Sequence, residues 1–266
     1  MIKMNGMIRF QWPMETYLTA WKTFRRLSNE NQATAEHLTA CPFWPSSDNQ
    51  ILVDIGCGDG RLLEAVLLCS PGRVRAIRLI DPDLELLQDA ATCIQATGLH
   101  RHTSSYQFGI EDIRAECFDG ASAILIVHVV YLVDAEIVSL LFDRLPPNVP
   151  MYIVLDHSTS VFSALWTRTA PLYRQRAADA HALIRNLSDH FRVNSTIIRS
   201  TIQNPLTVRR LDVRDAVLSL LTYSDIGPST DSELREWIAK TIQGRLENGV
   251  LPCVSSCYEI MRSDSM

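Results

Sequence analysis

The sequence predicts an α/β fold, a doubly wound parallel sheet carrying a helical N-terminal cap. Three observations point to it. From Ile51 onward, short apolar runs alternate with amphipathic stretches of helical period. The first run leads into "VDIGCGDG" (Val53–Gly60), with glycines at alternate positions. The run "SAILIVHVV" has almost no polar residue, as expected of a strand covered on both faces.

The elements follow in order. Residues 1–48 read as the cap, in which "METYLTAWKTFRRLS" is amphipathic through Tyr17, Trp21 and Phe24. "ILVDI" is the first strand, and "GRLLEAVLLCS" a helix with Leu62, Leu63, Val66 and Leu67 on one face, stopped at Pro71-Gly72. "RAIRLID" is the second strand. Pro82 opens the next helix, which Gly98 ends. "YQFGIED" is a weaker third strand, "SAILIVHVV" the fourth, and "DAEIVSLLFDRL" a helix capped by Asp134. "MYIVLDHS" is the fifth strand, with a helical insertion over residues 158–190. "FRVNSTIIRSTI" and "CVSSCYEIM" are strands, separated by the helices "DVRDAVLSLLTY" and "DSELREWIAKTIQGRL". Residues 49–266 form the main α/β domain. Right-handed crossovers place the strand C-termini on one edge, where such sheets bind ligands.

Composition narrows the function. The 266 residues carry a net charge of −5, and the basic residues cluster only as the dipeptides Arg25-Arg26 and Arg209-Arg210. Neither nucleic acid nor an anionic membrane is expected as main partner; a small-molecule substrate is. The seven cysteines are irregularly spaced, and Cys253/Cys257 form CxxxC with no second pair. We therefore expect no metal site and no disulfide framework, but a reducing, cytoplasmic setting. No signal peptide is visible, and the most apolar run, Ala123–Val133, is too short to span a bilayer. Oligomeric state is not legible.

A dinucleotide-binding turn reads G-x-G-x-x-G, but here Arg61 stands where the third glycine belongs, and no Gly-Lys-Ser/Thr follows for a P-loop. The spacing G-x-G-x-G resembles the first motif of class I S-adenosylmethionine-dependent methyltransferases. That resemblance implies a Rossmann-like class I methyltransferase fold, with S-adenosylmethionine as cofactor. It places Asp54 near the methionyl ammonium and lets Gly56, Gly58 and Gly60 bring the backbone close. Asp81, ending the second strand in "LIDPD", suits the two ribose hydroxyls, or else caps the helix that follows. Glu111, Asp112 and Ile113 after the third strand are the candidates for the adenine edge.

The fourth strand runs into "HVVYLVD"; in the family the end of this strand flanks the reacting methyl, which implies that place for His128 and Tyr131. His128 is either a general base or a satisfied core histidine. Tyr131 either offers a π-face to a cation or packs beneath the next helix. The cap "YLTAWKTFRRLSNENQATAEHL", together with "HVVYLVD", "LDHSTSVFSALW" and "LDVRDAVLSLLTY", is similar to histamine N-methyltransferase-like proteins. In that family the cap supplies aromatic residues and a glutamate that hold a cationic amine; the matching positions are Tyr17, Trp21, Phe24 and Glu30. The family has a glutamine where this chain has His128, so the resemblance implies a small amine-bearing acceptor without carrying over histamine itself.

Two further readings stay open. Bacterial azetidine-2-carboxylate synthases on the same fold use the cofactor's own amine as nucleophile and release methylthioadenosine; Tyr131 and Ser158 are then the residues expected to hold the bent amino-acid arm. The other reading is a cofactor-binding protein with an inactive site.

Overall fold

The computed structural model describes residues 14–45, 49–70, 74–130, 133–187, 190–224 and 226–263; residues 14–18 and 135 are described by backbone alone. The helices are α1 (Met14–Leu27), α2 (Glu30–Thr39), α3 (Arg61–Cys69), α4 (Leu84–Thr97), α5 (Ala135–Arg144), α6 (Val161–Thr169), α7 (Pro171–Arg185), α8 (Leu211–Thr222) and α9 (Ser232–Gln243). The strands are β1 (Gln50–Ile55), β2 (Val74–Ile80), β3 (His100–Tyr106), β4 (Ala123–Val127), β5 (Met151–Asp156), β6 (Phe191–Gln203) and β7 (Val250–Arg262).

These strands form one seven-stranded sheet in the order β3-β2-β1-β4-β5-β7-β6. β1 pairs in parallel with β2 and with β4, and β4 with β5. β7 runs antiparallel to both β5 and β6. The strands of the β/α alternation, β1–β5, are parallel as expected, and β7 reverses direction beside them. β7 enters after α9 through the turn Glu247–Gly249 and inserts between β5 and β6.

Period-2 burial sorts the core into two layers. Val53 and Ile55 of β1 face α1, α5 and the helices α6–α9, through Phe24, Leu141, Trp166, Val217 and Ile242. Leu52 faces α2, α3 and α4 through Leu38, Leu63 and Ile94. α1 and α2 thus lie against opposite faces, and the chain between them crosses above the strand C-termini. β6 and β7 make the crossing possible. Paired in register over their 13 residues, they extend past the end of β5, since Asp156 pairs with Ser255 only part-way along β7. On that extension the Asn29 N–H donates to the Thr201 carbonyl (3.1 Å), and the Thr201 N–H donates to Asn29 Oδ1 (2.7 Å).

Two boundaries differ from the sequence reading. α4 begins at Leu84, not Pro82, because Asp83 caps it, Oδ1 accepting from the Leu86 N–H at 3.0 Å. β3 comprises His100–Tyr106 and ends where "YQFGIED" was expected to start; Ile110–Asp112 is a 3-10 turn. β3 is an edge strand with an exposed polar pattern, so little apolar alternation marks it in the sequence.

Candidate functional site

The strand order reverses between β1 and β4, and the crevice beyond their C-terminal ends is where open α/β sheets bind ligands. The turn after β1 needs its glycines for stated reasons. Gly56, Gly58 and Gly60 have φ of 70°, 54° and 76°, a left-handed conformation costly for residues with a β-carbon. A β-carbon on Gly56 would stand 2.3 Å from Val129 Cγ2, and one on Gly60 2.8 Å from Ala90 Cα. The turn is therefore wedged between the loop after β4 and α4. Its amides cross the end of β2, Gly56 N–H donating to the Ile80 carbonyl at 2.7 Å.

Two carboxylates flank the turn. Asp81 accepts from the Gly58 N–H through Oδ2 (3.0 Å) and from the Asp83 N–H through Oδ1 (2.9 Å). It clamps the glycine turn to α4, and each oxygen keeps a second acceptor site. Burial raises its pKa, partly offset by those two N–H donors. Asp54 is 3% exposed, and its carboxylate accepts no hydrogen bond from any described residue. Burial, and then the neighbouring Asp81 charge, push it up to about 7. Cys57 lies beside them, its thiol raised by burial and by Asp54, and so unreactive.

A second charge group lies above β4 and β5. His128, the first residue after β4, has φ 58°, a left-handed conformation in which histidine is tolerated better than most side chains. Its Nε2 is 3.1 Å from Glu30 Oε1, and its Nδ1 is 3.8 Å from Asp156 Oδ2. Glu30 arrives at the N-terminus of α2 because the Asn29–Thr201 pairing holds that turn over the sheet edge. Burial depresses the pKa of His128, but the Glu30 charge and hydrogen bond, and then Asp156, outweigh it and bring it to about 9. Burial raises Glu30, and His128 overcomes it, so the carboxyl sits below its ordinary value. Asp156 is pushed up to about 7 by burial, only partly relieved by His128.

The structure places the remaining sequence candidates as follows. Trp21 lies on the glycine turn itself; its Cη2 is 2.5 Å from where a Gly58 β-carbon would stand, and the Arg25 guanidinium stacks on its ring at 3.4 Å. Arg25 also pairs with Asp59 in the turn. Phe24 is buried, edge-on to Phe162 with ring centres 6.0 Å apart, and belongs to the core between α1 and α6. Ser158 is exposed in the turn after β5, whereas Ser160, two residues on, is buried and caps α6. Glu111 is half-buried, Asp112 exposed and Ile113 fully buried. The Tyr17 side chain and Tyr131 lie outside the described residues.

Sequence reasoning missed three of these groups: Arg25, Asp59 and Asp156. Asp156 carried the signal that singled out Asp81, an aspartate at the C-terminal end of an apolar strand.

No protein-family model matches the chain, and no curated protein matches it in sequence. Solved structures do. The YcgJ protein of Bacillus subtilis superposes with a TM-score of 0.56 at 13% identity, covering 88% of this chain and 99% of that one. A S-adenosylmethionine-dependent methyltransferase of Geobacter sulfurreducens, in complex with S-adenosyl-L-homocysteine, gives 0.53 at 11% identity over 96% and 100%. The mitomycin 7-O-methyltransferase MmcR gives 0.50 at 17% over 88% of this chain and 54% of that one. The chain has the Rossmann-like class I methyltransferase fold.

Proposed function

We propose that this chain binds S-adenosylmethionine at the turn after β1 and methylates the nitrogen of a small amine held beneath α1 and α2. The observation that carries the reading is Asp54. A carboxylate that is 3% exposed, accepts no hydrogen bond from a described residue and adjoins a left-handed glycine turn fits an ammonium group. Asp81 fits beside it, because its two oxygens, already anchored by backbone N–H groups, keep acceptor sites for vicinal hydroxyls. Glu111, Asp112 and Ile113 would border the adenine. The fold is shared with a methyltransferase crystallised with the demethylated cofactor.

When bound, the cofactor supplies an electrophilic methyl on a sulfonium, with its own leaving group. The chain's residues must bind, orient and keep water out. Trp21 and Arg25 of α1 roof the glycine turn, so α1 shields the methionyl end from solvent. Glu30 and His128 lie over the ends of β4 and β5. The carboxylates Glu30, Asp54, Asp59 and Asp156 stand here against two cations, His128 paired with Glu30 and Arg25 paired with Asp59. That balance favours a ligand pair carrying positive charge.

The test is to incubate the protein with S-adenosylmethionine, alone and with a panel of primary and secondary amines, and to follow the nucleosides formed. S-adenosylhomocysteine appearing only with an amine supports N-methylation. Methylthioadenosine formed without an acceptor would overturn it in favour of cofactor cyclisation. Tight binding without turnover on the whole panel would favour an inactive cofactor-binding protein.

A further inference from the structure

We infer that Asp156 anchors the acceptor as an ammonium ion and takes its proton, in a slot walled by Glu30 and His128. The inference rests on the amine-methylating reading and adds to it the group that holds and deprotonates the nucleophile.

The geometry separates the three side chains by role. Glu30 is spent on His128, since Oε1 sits 3.1 Å from Nε2. An ionised carboxylate already engaged by a cation is a weak base. His128 is protonated near neutral pH and has no lone pair to offer. That leaves Asp156. It ends β5, is 5% exposed, and lies on the side of His128 opposite Glu30's contact, toward Nδ1 rather than Nε2. Its Oδ2 is 3.8 Å from His128 Nδ1, beyond hydrogen-bond length, and among the described residues its carboxylate is hydrogen-bonded by the Ser160 hydroxyl. A carboxylate has about four acceptor sites, so this one retains capacity for an N–H donor.

The groups facing it come from every element packed there. His128 follows β4, Glu30 opens α2, Ser160 precedes α6, and Cys253 lies on β7. Arg25 of α1 acts on Glu30 and His128. From α7, His181 Nε2 bonds the Asp156 carbonyl at 2.9 Å, while its Nδ1 meets the Tyr258 hydroxyl at 2.7 Å; this bridge fixes the residue's backbone. Burial brings the carboxyl to about 7, close to the pH at which it must accept a proton.

The step balances. The bound ammonium gives one proton to the Asp156 carboxylate, leaving a neutral amine. Its lone pair forms the N–CH3 bond as the CH3–S bond breaks, the bonding pair staying on sulfur. The products are the methylated ammonium and S-adenosylhomocysteine, and Asp156 returns its proton to solvent.

The experiment uses methylammonium chloride, the smallest probe of such a slot, with methanol and equal sodium chloride as controls. Melting temperatures are measured on protein saturated with S-adenosylhomocysteine, for wild type, Asp156→Asn and Asp156→Glu. Methylammonium should raise the melting temperature of wild type over both controls, increasingly as pH passes about 7. The shift should vanish in Asp156→Asn and survive in Asp156→Glu. A shift equal to that of sodium chloride in wild type, or an undiminished one in Asp156→Asn, overturns the assignment. If Asp156→Asn does not fold, the pH dependence in wild type decides: a pH-independent response also overturns it. Calorimetry of S-adenosylhomocysteine with wild type separates the two levels. No binding defeats the cofactor reading, whereas binding without a methylammonium response defeats the slot alone.

Discussion

Asp54 and His128 are both buried titratable groups, the first read through ligand affinity and the second through stability. An ammonium beside Asp54 requires the carboxylate to be ionised. Affinity for S-adenosylhomocysteine should therefore fall as pH drops below about 7. Asp54→Asn should weaken binding at higher pH by about ten- to a hundredfold, the equivalent of about 1.5–3 kcal/mol for a hydrogen bond to a charged group. It should also flatten the pH dependence in calorimetry. His128 has a folded-state pKa of about 9, raised above its ordinary value of about 6.5. Its contribution to stability is complete below about pH 6.5 and is lost as pH rises through about 9. His128→Asn keeps a side chain that tolerates φ 58° but removes the cation. The gap in melting temperature between wild type and this variant should be widest in mild acid and narrow across that window.

At the scale of elements, the glycines and the inter-helix turn make distinct demands. Gly98 ends α4 with φ 62°, and a β-carbon there would meet nothing within 4 Å. Gly98→Ala should cost only the left-handed strain, about 1–2 kcal/mol. Gly60→Ala adds a collision with Ala90 Cα at 2.8 Å, which only a shift of α4 against the turn relieves. Denaturant unfolding should rank Gly60→Ala clearly the more damaging. The α1–α2 turn makes a different prediction. Asn29→Ala removes the side-chain acceptor for the Thr201 N–H and loosens the seat of Glu30 without touching Asp54 or Asp81. Acceptor turnover should fall several-fold while S-adenosylhomocysteine affinity in calorimetry stays unchanged.

For the whole molecule, Asp54 and Asp156 are carboxylates whose burial disfavours their charged forms. Asp54 and Asp156 have folded-state pKa values of about 7, raised from about 3.8, so each contributes stability below its unfolded pKa that is lost as pH climbs through about 7. A cation bound at Asp54 relieves its share. Saturating S-adenosylhomocysteine should therefore raise the melting temperature more at mildly alkaline than at mildly acidic pH, read by differential scanning calorimetry.

Much of this architecture was legible from periodicity. The buried strands β1, β4 and β5 and the helices α3, α5 and α9 announce themselves because burial imposes an apolar pattern on local sequence. Asp54, Asp81 and the glycine turn are legible because turn conformation is a local demand. What fails is whatever depends on distant chain. β3 is polar because nothing covers its edge. The direction of β7 depends on its return beside β5. Trp21 and Phe24 share one helical stripe, yet one meets Gly58 and the other the core beside Phe162. By itself, the sequence determined the layered sheet and the turn after β1, since both follow from nearest-neighbour chemistry. Only the tertiary structure decided that Glu30, His128 and Asp156, from three separate elements, converge above β4 and β5. Their charges are set by mutual distance and exclusion of water, and neither exists until the chain has folded.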